Sequence, residues 1–444
     1  MDPVVQEIVN HSGEILSRGL EKNVEDELKK RIADSIITSF GARDAPPVAI
    51  ERNAFLPMSG KLRSRVYFGY GEATPDIAAF INGSMTRYLD YNDTYLSKEA
   101  LHPSDNIPPL ISVADAFDLD GDSVLKAAAL SYDVVGALAD AVSIRDRGWD
   151  HVTYISISAS AGLAQLMGLD GRKFENAISL GLNNSISMRQ TRAGELSMWK
   201  GCTAADASRN SVFAAILASG GFTGPSPIFT GEMGFFKQVS GKFDLKLTHG
   251  KVLRTMIKNF PVEYHAMSAA EVALNIREKI KGRIRKIEVE TFEVAHSIII
   301  KDPEKLRPKT RETADHSMPY IVAYTLLYGA PNPSSYDDSH LSDPKILELI
   351  DRSTYTVTER FNRMYPEYLP VKITVTTDSG LFSEEMDVPK GHHRKPYTWD
   401  DLQSKGDRVM GPENSSSLIN FMKDFQRHSV REFMEVIMNV NFKG

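Results

Sequence analysis

A chain of 444 residues is longer than one hydrophobic core usually supports, so two domains are expected. Hydrophobic residues make up 42% and charged residues 25%, an ordinary soluble globular balance, and a net charge of -6 makes no case for a nucleic-acid partner. The one cysteine, Cys202, has no partner for an internal disulfide and cannot supply the thiolates of an iron–sulfur cluster.

The N-terminal residues lack a basic stretch followed by an apolar block, and no uninterrupted apolar run reaches the roughly 18 residues of a membrane span. A cytoplasmic protein without a membrane partner is the expectation. The first two-thirds then reads as helix after helix. Apolar residues recur at three- and four-residue steps over 4–20 and 25–40, and further helical stretches are expected at 75–88, 107–116, 123–142, 154–166 and 174–188. Many are rich in Ala, Gly and Ser, as in Ala127-Ala-Ala and Ser156-Ile-Ser-Ala-Ser-Ala-Gly162. Small residues let helix axes approach closely, which points to a compact bundle.

Polar groups gather at the ends of these helices. Asp90, Asp93 and Thr94 stand at i, i+3 and i+4, so a continuing helix would place them on one face. There they would orient a substrate hydroxyl, a histidine or a cation, or simply make a solvated helix end. His102 precedes Pro103, which holds it extended just before a buried helix; it is a proton carrier near pH 7 or a capping, packing histidine. Trp149-Asp-His151 leads into one small-residue helix, and Lys200-Gly201 into another. Lys258, Glu263 and His265 fall close together where the chain changes character.

After about residue 266 strands are expected. Residues 285–295 and 370–378 alternate, with Val371, Ile373 and Val375 pointing one way, and 353–360 and 384–388 are weaker candidates. Helices at 267–279, 320–327 and 344–350 intervene, and the tail is helical again at 415–425 and 430–440. The reading is mostly α with a smaller α+β domain: a large helical bundle over 1–265, completed by 400–444, and an α+β lid over 266–399.

Within that lid, Arg311-Glu-Thr-Ala-Asp315-His316-Ser-Met-Pro-Tyr320 packs two carboxylates, a guanidinium, an imidazole and a phenol ahead of an apolar run. It is a helix cap, with Asp315 or Ser317 capping and Pro319 in the first turn, or an anion-binding site at a helix N-terminus. The chain carries no phosphate loop, nucleotide fingerprint or zinc-type spacing. Its histidines, lysines, arginine and carboxylates suit a small polyanion with a proton to move.

Taken together, several segments resemble the MmgE/PrpD family, and within it the 2-methylcitrate dehydratase branch. They are Asn82-Gly-Ser through Leu89-Asp-Tyr-Asn-Asp-Thr94, His102-Pro-Ser104, Trp149-Asp-His151, Lys200-Gly201, Phe260-Pro-Val-Glu-Tyr-His265, the run 308–320 and Gly391-His-His-Arg. The resemblance implies a large helical domain, an α+β lid and a homodimer. It implies loss of water from 2-methylcitrate or a related tricarboxylate, giving a cis-aconitate-type alkene. The implied catalytic residues are His102, His151, Asp90 and Lys200. The implied substrate ligands are Thr94, Lys258 and Tyr320, and the charged and polar types of Glu263, His265, Arg311 and His316 make them further candidates for binding the substrate. No cofactor and no metal are expected. The family also holds cis-aconitate decarboxylases. Two extra residues between Thr94 and His102, and Glu263 where those enzymes carry a histidine, favour the dehydratase. A non-catalytic polyanion binder is the reading outside enzymology.

Overall fold

The computed structural model describes residues 1–55, 60–194 and 196–441. It divides into two compact units: Met1–Ala193, Trp199–Met256 and Thr398–Gly444 make one, and Gly194–Met198 with Ile257–Tyr397 the other. The chain is mostly α, and a four-stranded sheet lies in the second unit.

Helices build the first unit: α1 (Pro3–Arg18), α2 (Lys22–Ala42), α3 (Pro46–Phe55), α4 (Pro75–Tyr88), α5 (Ile107–Phe117), α6 (Gly121–Ala141), α7 (Val152–Leu166), α8 (Gly171–Asn184) and α9 (Trp199–Ser219). Two antiparallel ribbons accompany them, β1 (Ser64–Val66) with β2 (Gly71–Ala73) and β3 (Tyr95–Leu96) with β4 (Ala100–Leu101). α4 packs on α5 and α9, and α7 on α6, α8 and α9. Every residue of α7 is buried, as expected of a helix surrounded by others. The small residues serve these crossings. A Cβ on Gly83 of α4 would lie 2.9 Å from the Ala205 Cβ of α9, and one on Gly201 would lie 3.0 Å from Tyr88. The tail supplies Trp399–Met410, Pro412–Met422 and Val430–Met438, the first of which packs on α2. No helix among the described residues is long and apolar enough to cross a membrane.

The second unit holds β5 (Ile284–Thr291), β6 (Ser353–Val357), β7 (Val371–Thr377) and β8 (Gly380–Met386) in the order β6-β5-β7-β8. β5 and β6 run parallel, and the other pairs antiparallel. Val371, Ile373 and Val375 are buried at alternate positions, as expected, and Met267–Arg277 packs on β7 and β8. Local bounds need correction. The strand read over 285–295 stops at Thr291; Glu293–Ile299 is helical, its first N–H satisfied by the Asn362 side chain at 2.7 Å. The helix read over 174–188 ends at Asn184, because Ser187 and Met188 pair instead with the segment before His151. The helix Trp399–Met410 is expected only as part of the helical tail 400–444; its start is marked by the capping box that Thr398 and Asp401 form.

Candidate active site

The chain leaves α4 at Tyr88 and turns at Asp90, whose φ of 50° lies in the left-handed region that aspartate tolerates better than most residues. The continuing helix on which Asp90, Asp93 and Thr94 would share a face is therefore not formed. These residues meet the rest of the cluster from a buried loop. Thr94 fixes the end of that loop by exchanging backbone hydrogen bonds of 2.9 and 2.8 Å with Met256.

Asp90 is the hub of this loop. One carboxylate oxygen pairs with the Arg87 guanidinium and stands 3.7 Å from His102 Nε2; the other is 4.0 Å from Lys200 Nζ. All four side chains are buried or nearly so. Lys200 comes from the first turn of α9, at the point where Gly201 lets that helix close on Tyr88.

His102 is extended, as its proline neighbour requires, with φ -121° and ψ 92°. Its Nδ1 donates to the Asp93 carbonyl at 2.7 Å and lies 3.4 Å from Thr94 Oγ1. That bond places the lone pair of the neutral ring on Nε2, the nitrogen facing Asp90. The Asp93 carboxylate holds the arrangement from behind. It accepts from the Ser104 N–H at 2.9 Å and from the Tyr132 hydroxyl at 2.9 Å. Burial pushes the Asp93 carboxyl upward in pKa, against the pull of Arg31 3.9 Å away.

The His151 ring centroid is 6.0 Å from that of His102. His151 Nδ1 lies 3.2 Å from Asp150, which in turn lies 2.8 Å from Arg192 Nε. Burial, reinforced by Arg192, pushes the His151 imidazole down to about 3, so it is neutral at pH 7. For Asp150 burial works the other way, but Arg192 and His151 prevail and the carboxyl is held below its usual range. His151 Nε2 is buried and has no hydrogen-bond partner among the described residues.

Asp90, Thr94, His102, His151 and Lys200 are thus gathered in the first unit. Four further members escaped the sequence reading: Arg87, Asp105, Asp150 and Arg192. Three were within reach, since Asp150 adjoins His151, Asp105 lies three residues past His102, and Arg87 sits one helical turn before Asp90. Arg192, in the short turn Arg189–Arg192, carries no local signal. Asp105 is buried with one oxygen accepting from Asn92 at 3.1 Å, and burial pushes its carboxyl up to about 7.

Lys258, Glu263, His265, Arg311, His316 and Tyr320 belong to the second unit. Glu263 accepts from His265 Nδ1 at 2.7 Å, and His265 Nε2 lies 3.2 Å from the Tyr365 hydroxyl. Burial works against ionisation of Glu263, yet His265, His316 and Lys258 together bring its carboxyl down to about 2. Lys258 Nζ donates to the Val262 carbonyl at 3.1 Å. Asp315 bonds the His316 ring, lies 3.8 Å from Arg311, and its carbonyl accepts from the Glu263 N–H at 2.8 Å. Of the two capping candidates, Ser317 is the cap: its hydroxyl accepts from the Tyr320 N–H at 3.1 Å, while Asp315 ends the preceding turn Arg311–Ala314. The Tyr320 hydroxyl donates to the Ser335 carbonyl at 2.6 Å, so its proton is already engaged.

The buried set around Asp90 combines two imidazoles, a lysine, two arginines and several carboxylates. Such a set can hold an anionic substrate and move a proton. Comparison with known proteins shows the family. The MmgE/PrpD N-terminal domain matches residues 7–248 and the MmgE/PrpD C-terminal domain residues 260–416. The chain is 30% identical over 350 residues to the 2-methylcitrate dehydratase of Escherichia coli (strain K12), with 72% of each chain covered. It is 30% identical over 355 residues to that of Cupriavidus necator, with the same coverage. To the alkylcitrate dehydratase phiI of a fungal species (strain ATCC 74256) it is 27% identical over 412 residues, covering 84% of this chain and 81% of the relative. With both halves of the chain matched in order, this protein belongs to the MmgE/PrpD family.

Proposed function

We propose that the protein is a hydro-lyase that removes water from 2-methylcitrate or a closely related alkylcitrate. Relatives named for those substrates support the reading. The observation that carries it is the pairing of His102 and His151, 6.0 Å apart and in opposite electrostatic settings. His151 is kept neutral by burial and Arg192, and its buried Nε2 has no hydrogen-bond partner among the described residues. It is assigned as the base that takes the carbon-bound proton beside a carboxylate, the negative charge of the bound substrate being what raises its affinity for that proton. His102 has acceptors at both nitrogens, the Asp93 carbonyl at 2.7 Å and Asp90 at 3.7 Å, a setting that suits an imidazolium. It is assigned as the acid that protonates the departing hydroxyl. One proton leaves carbon, one joins the leaving oxygen, and the electron pair of the C–H bond becomes the alkene as the C–O bond breaks. No electrons are exchanged with another molecule, so the chemistry calls for no redox cofactor. Lys200 is assigned to the negative charge that builds on the substrate carboxylate during proton removal.

Purified protein incubated with 2-methylcitrate is expected to generate the ultraviolet absorbance of a conjugated unsaturated acid. His102→Ala is expected to lower turnover by about two to four orders of magnitude. Near-normal turnover in that variant would remove His102 from the mechanism. A panel of citrates with growing alkyl groups ranks the substrates, each methylene being worth roughly 1–3 kcal/mol of discrimination. Release of carbon dioxide without hydration change would replace dehydration by decarboxylation.

A further inference from the structure

Away from Asp90, two histidines and two carboxylates converge at the end of α1. His11 and Glu14 stand one turn apart on α1, Asp133 comes from α6, and His249 from the segment before Lys251–Arg254. The two imidazoles stack with centroids 4.2 Å apart and planes 17° from parallel. His11 Nε2 lies 2.9 Å from Asp133 Oδ2, and His249 Nδ1 lies 3.9 Å from the same oxygen. His249 Nε2 lies 3.1 Å from Glu14 Oε2. One ligand atom each from His11, Glu14 and His249 falls within 4.8 Å of the others. The other Asp133 oxygen accepts from the Lys251 N–H at 2.9 Å, which fixes the carboxylate with Oδ2 toward the rings. A cavity of about 240 Å³ opens beside the group, lined by Glu14, Arg18, Asp133 and His249 among others.

We propose that His11, Glu14 and His249 form a binding site for a divalent metal ion of the zinc type, with Asp133 beside the His11 ring. Two imidazoles and one carboxylate are a three-donor set of the kind that binds zinc with a fourth position left open, and the Asp133 carboxylate adds negative charge nearby. Nitrogen donors select zinc, cobalt or nickel over magnesium and calcium. Bonds of about 2.0–2.2 Å place tetrahedral donors roughly 3–3.5 Å apart. The donor atoms of His11, Glu14 and His249 lie within 4.8 Å of one another, and the part-exposed His249 ring has to turn out of its stack on His11 to bring its lone pair onto the same ion. Arg18, 3.9 Å from Glu14 and mostly exposed, is the one cation close to that carboxylate among the described residues, and its long side chain is free to swing aside. The ion would tie α1 to the segment that runs on to Met256, the backbone partner of Thr94. Its place is therefore structural, stabilising the folded state by binding it in preference to the unfolded chain.

The test is equilibrium dialysis of chelator-treated, desalted full-length protein against zinc chloride. Wild type is expected to bind about one equivalent at micromolar zinc and to unfold at a higher temperature with the ion present. His249→Ala, and separately Glu14→Gln, are expected to bind at least about 100-fold more weakly, to lose the thermal shift and to keep dehydratase turnover. Both side chains are substantially exposed, so the variants should fold, and circular dichroism checks that they do. Absence of zinc binding by wild type, or equal binding by the folded variants, overturns the site.

Discussion

Asp105 and His151 lie in the same buried polar cluster, and burial drives them in opposite directions on the pH scale, to about 7 and about 3. Both movements disfavour charge, which is what removal from water does to any ionisable group. The consequence for Asp105 is measurable. Its carboxyl titrates near 3.8 in the unfolded chain and near 7 in the folded one, so the folded state holds the proton more tightly between those values. Stability from this group is greatest below about pH 4 and is lost as pH rises toward 7. The stability of wild type minus that of Asp105→Asn, measured by urea unfolding from pH 4 to 8, is expected to fall over that window and then level off. A flat difference would mean that Asp105 is ionised throughout. The residue types of the cluster were legible from their spacing along the chain. Their protonation was not, because it depends on burial and on Arg87, Asp93 and Arg192, which local periodicity does not locate.

The helix pair α4–α9 brings Asp90 and Lys200 together, and glycine sets its spacing. A Cβ at Gly83 would meet the Ala205 Cβ at 2.9 Å and its Cα at 3.1 Å, so a methyl group there has no flexible neighbour to displace. Gly83→Ala is expected to cost roughly 1–3 kcal/mol of stability by overpacking. It should also lower turnover, because it pushes α9 and Lys200 away from Asp90. Thermal unfolding and steady-state rates read the two effects, and unchanged values in both would show that the crossing is looser than its geometry. α4 itself was legible end to end, since Pro75 and the apolar repeat through Tyr88 state its bounds. The turn that follows was misread, because the i, i+3, i+4 spacing of Asp90, Asp93 and Thr94 imitates a helix face. The deciding fact is the left-handed backbone at Asp90, which the surrounding contacts impose.

The tail returns to the first unit and completes the support of the Asp90 loop. Lys405 Nζ makes a 2.6 Å ion pair with Asp34 of α2, donates to the Tyr91 carbonyl at 2.9 Å and sits 3.7 Å over the Tyr91 ring. A residue more than three hundred positions away thus holds the backbone between Asp90 and Asn92. Replacing Lys405 by Met leaves the Asp34 carboxylate buried beside an uncharged side chain, an expected loss of about 3–5 kcal/mol. Chemical denaturation measures it, and Asp34→Asn added to Lys405→Met should recover part of it. Failure of the second change to recover any stability would show that the two charges are not coupled. Turnover in Lys405→Met is expected to drop as the loop loses its anchor.

Local order along the chain carried the helical bundle, the alternating strands and the motif segments, because hydrophobic periodicity and turn chemistry act over a few residues and are written into them directly. Three-dimensional packing alone settled the turn at Asp90, the addition of Arg192, the neutrality of His151 and the grip of Lys405 on Tyr91. Each of these depends on charge and exclusion of water among residues distant in sequence, and such quantities exist only once the chain has folded.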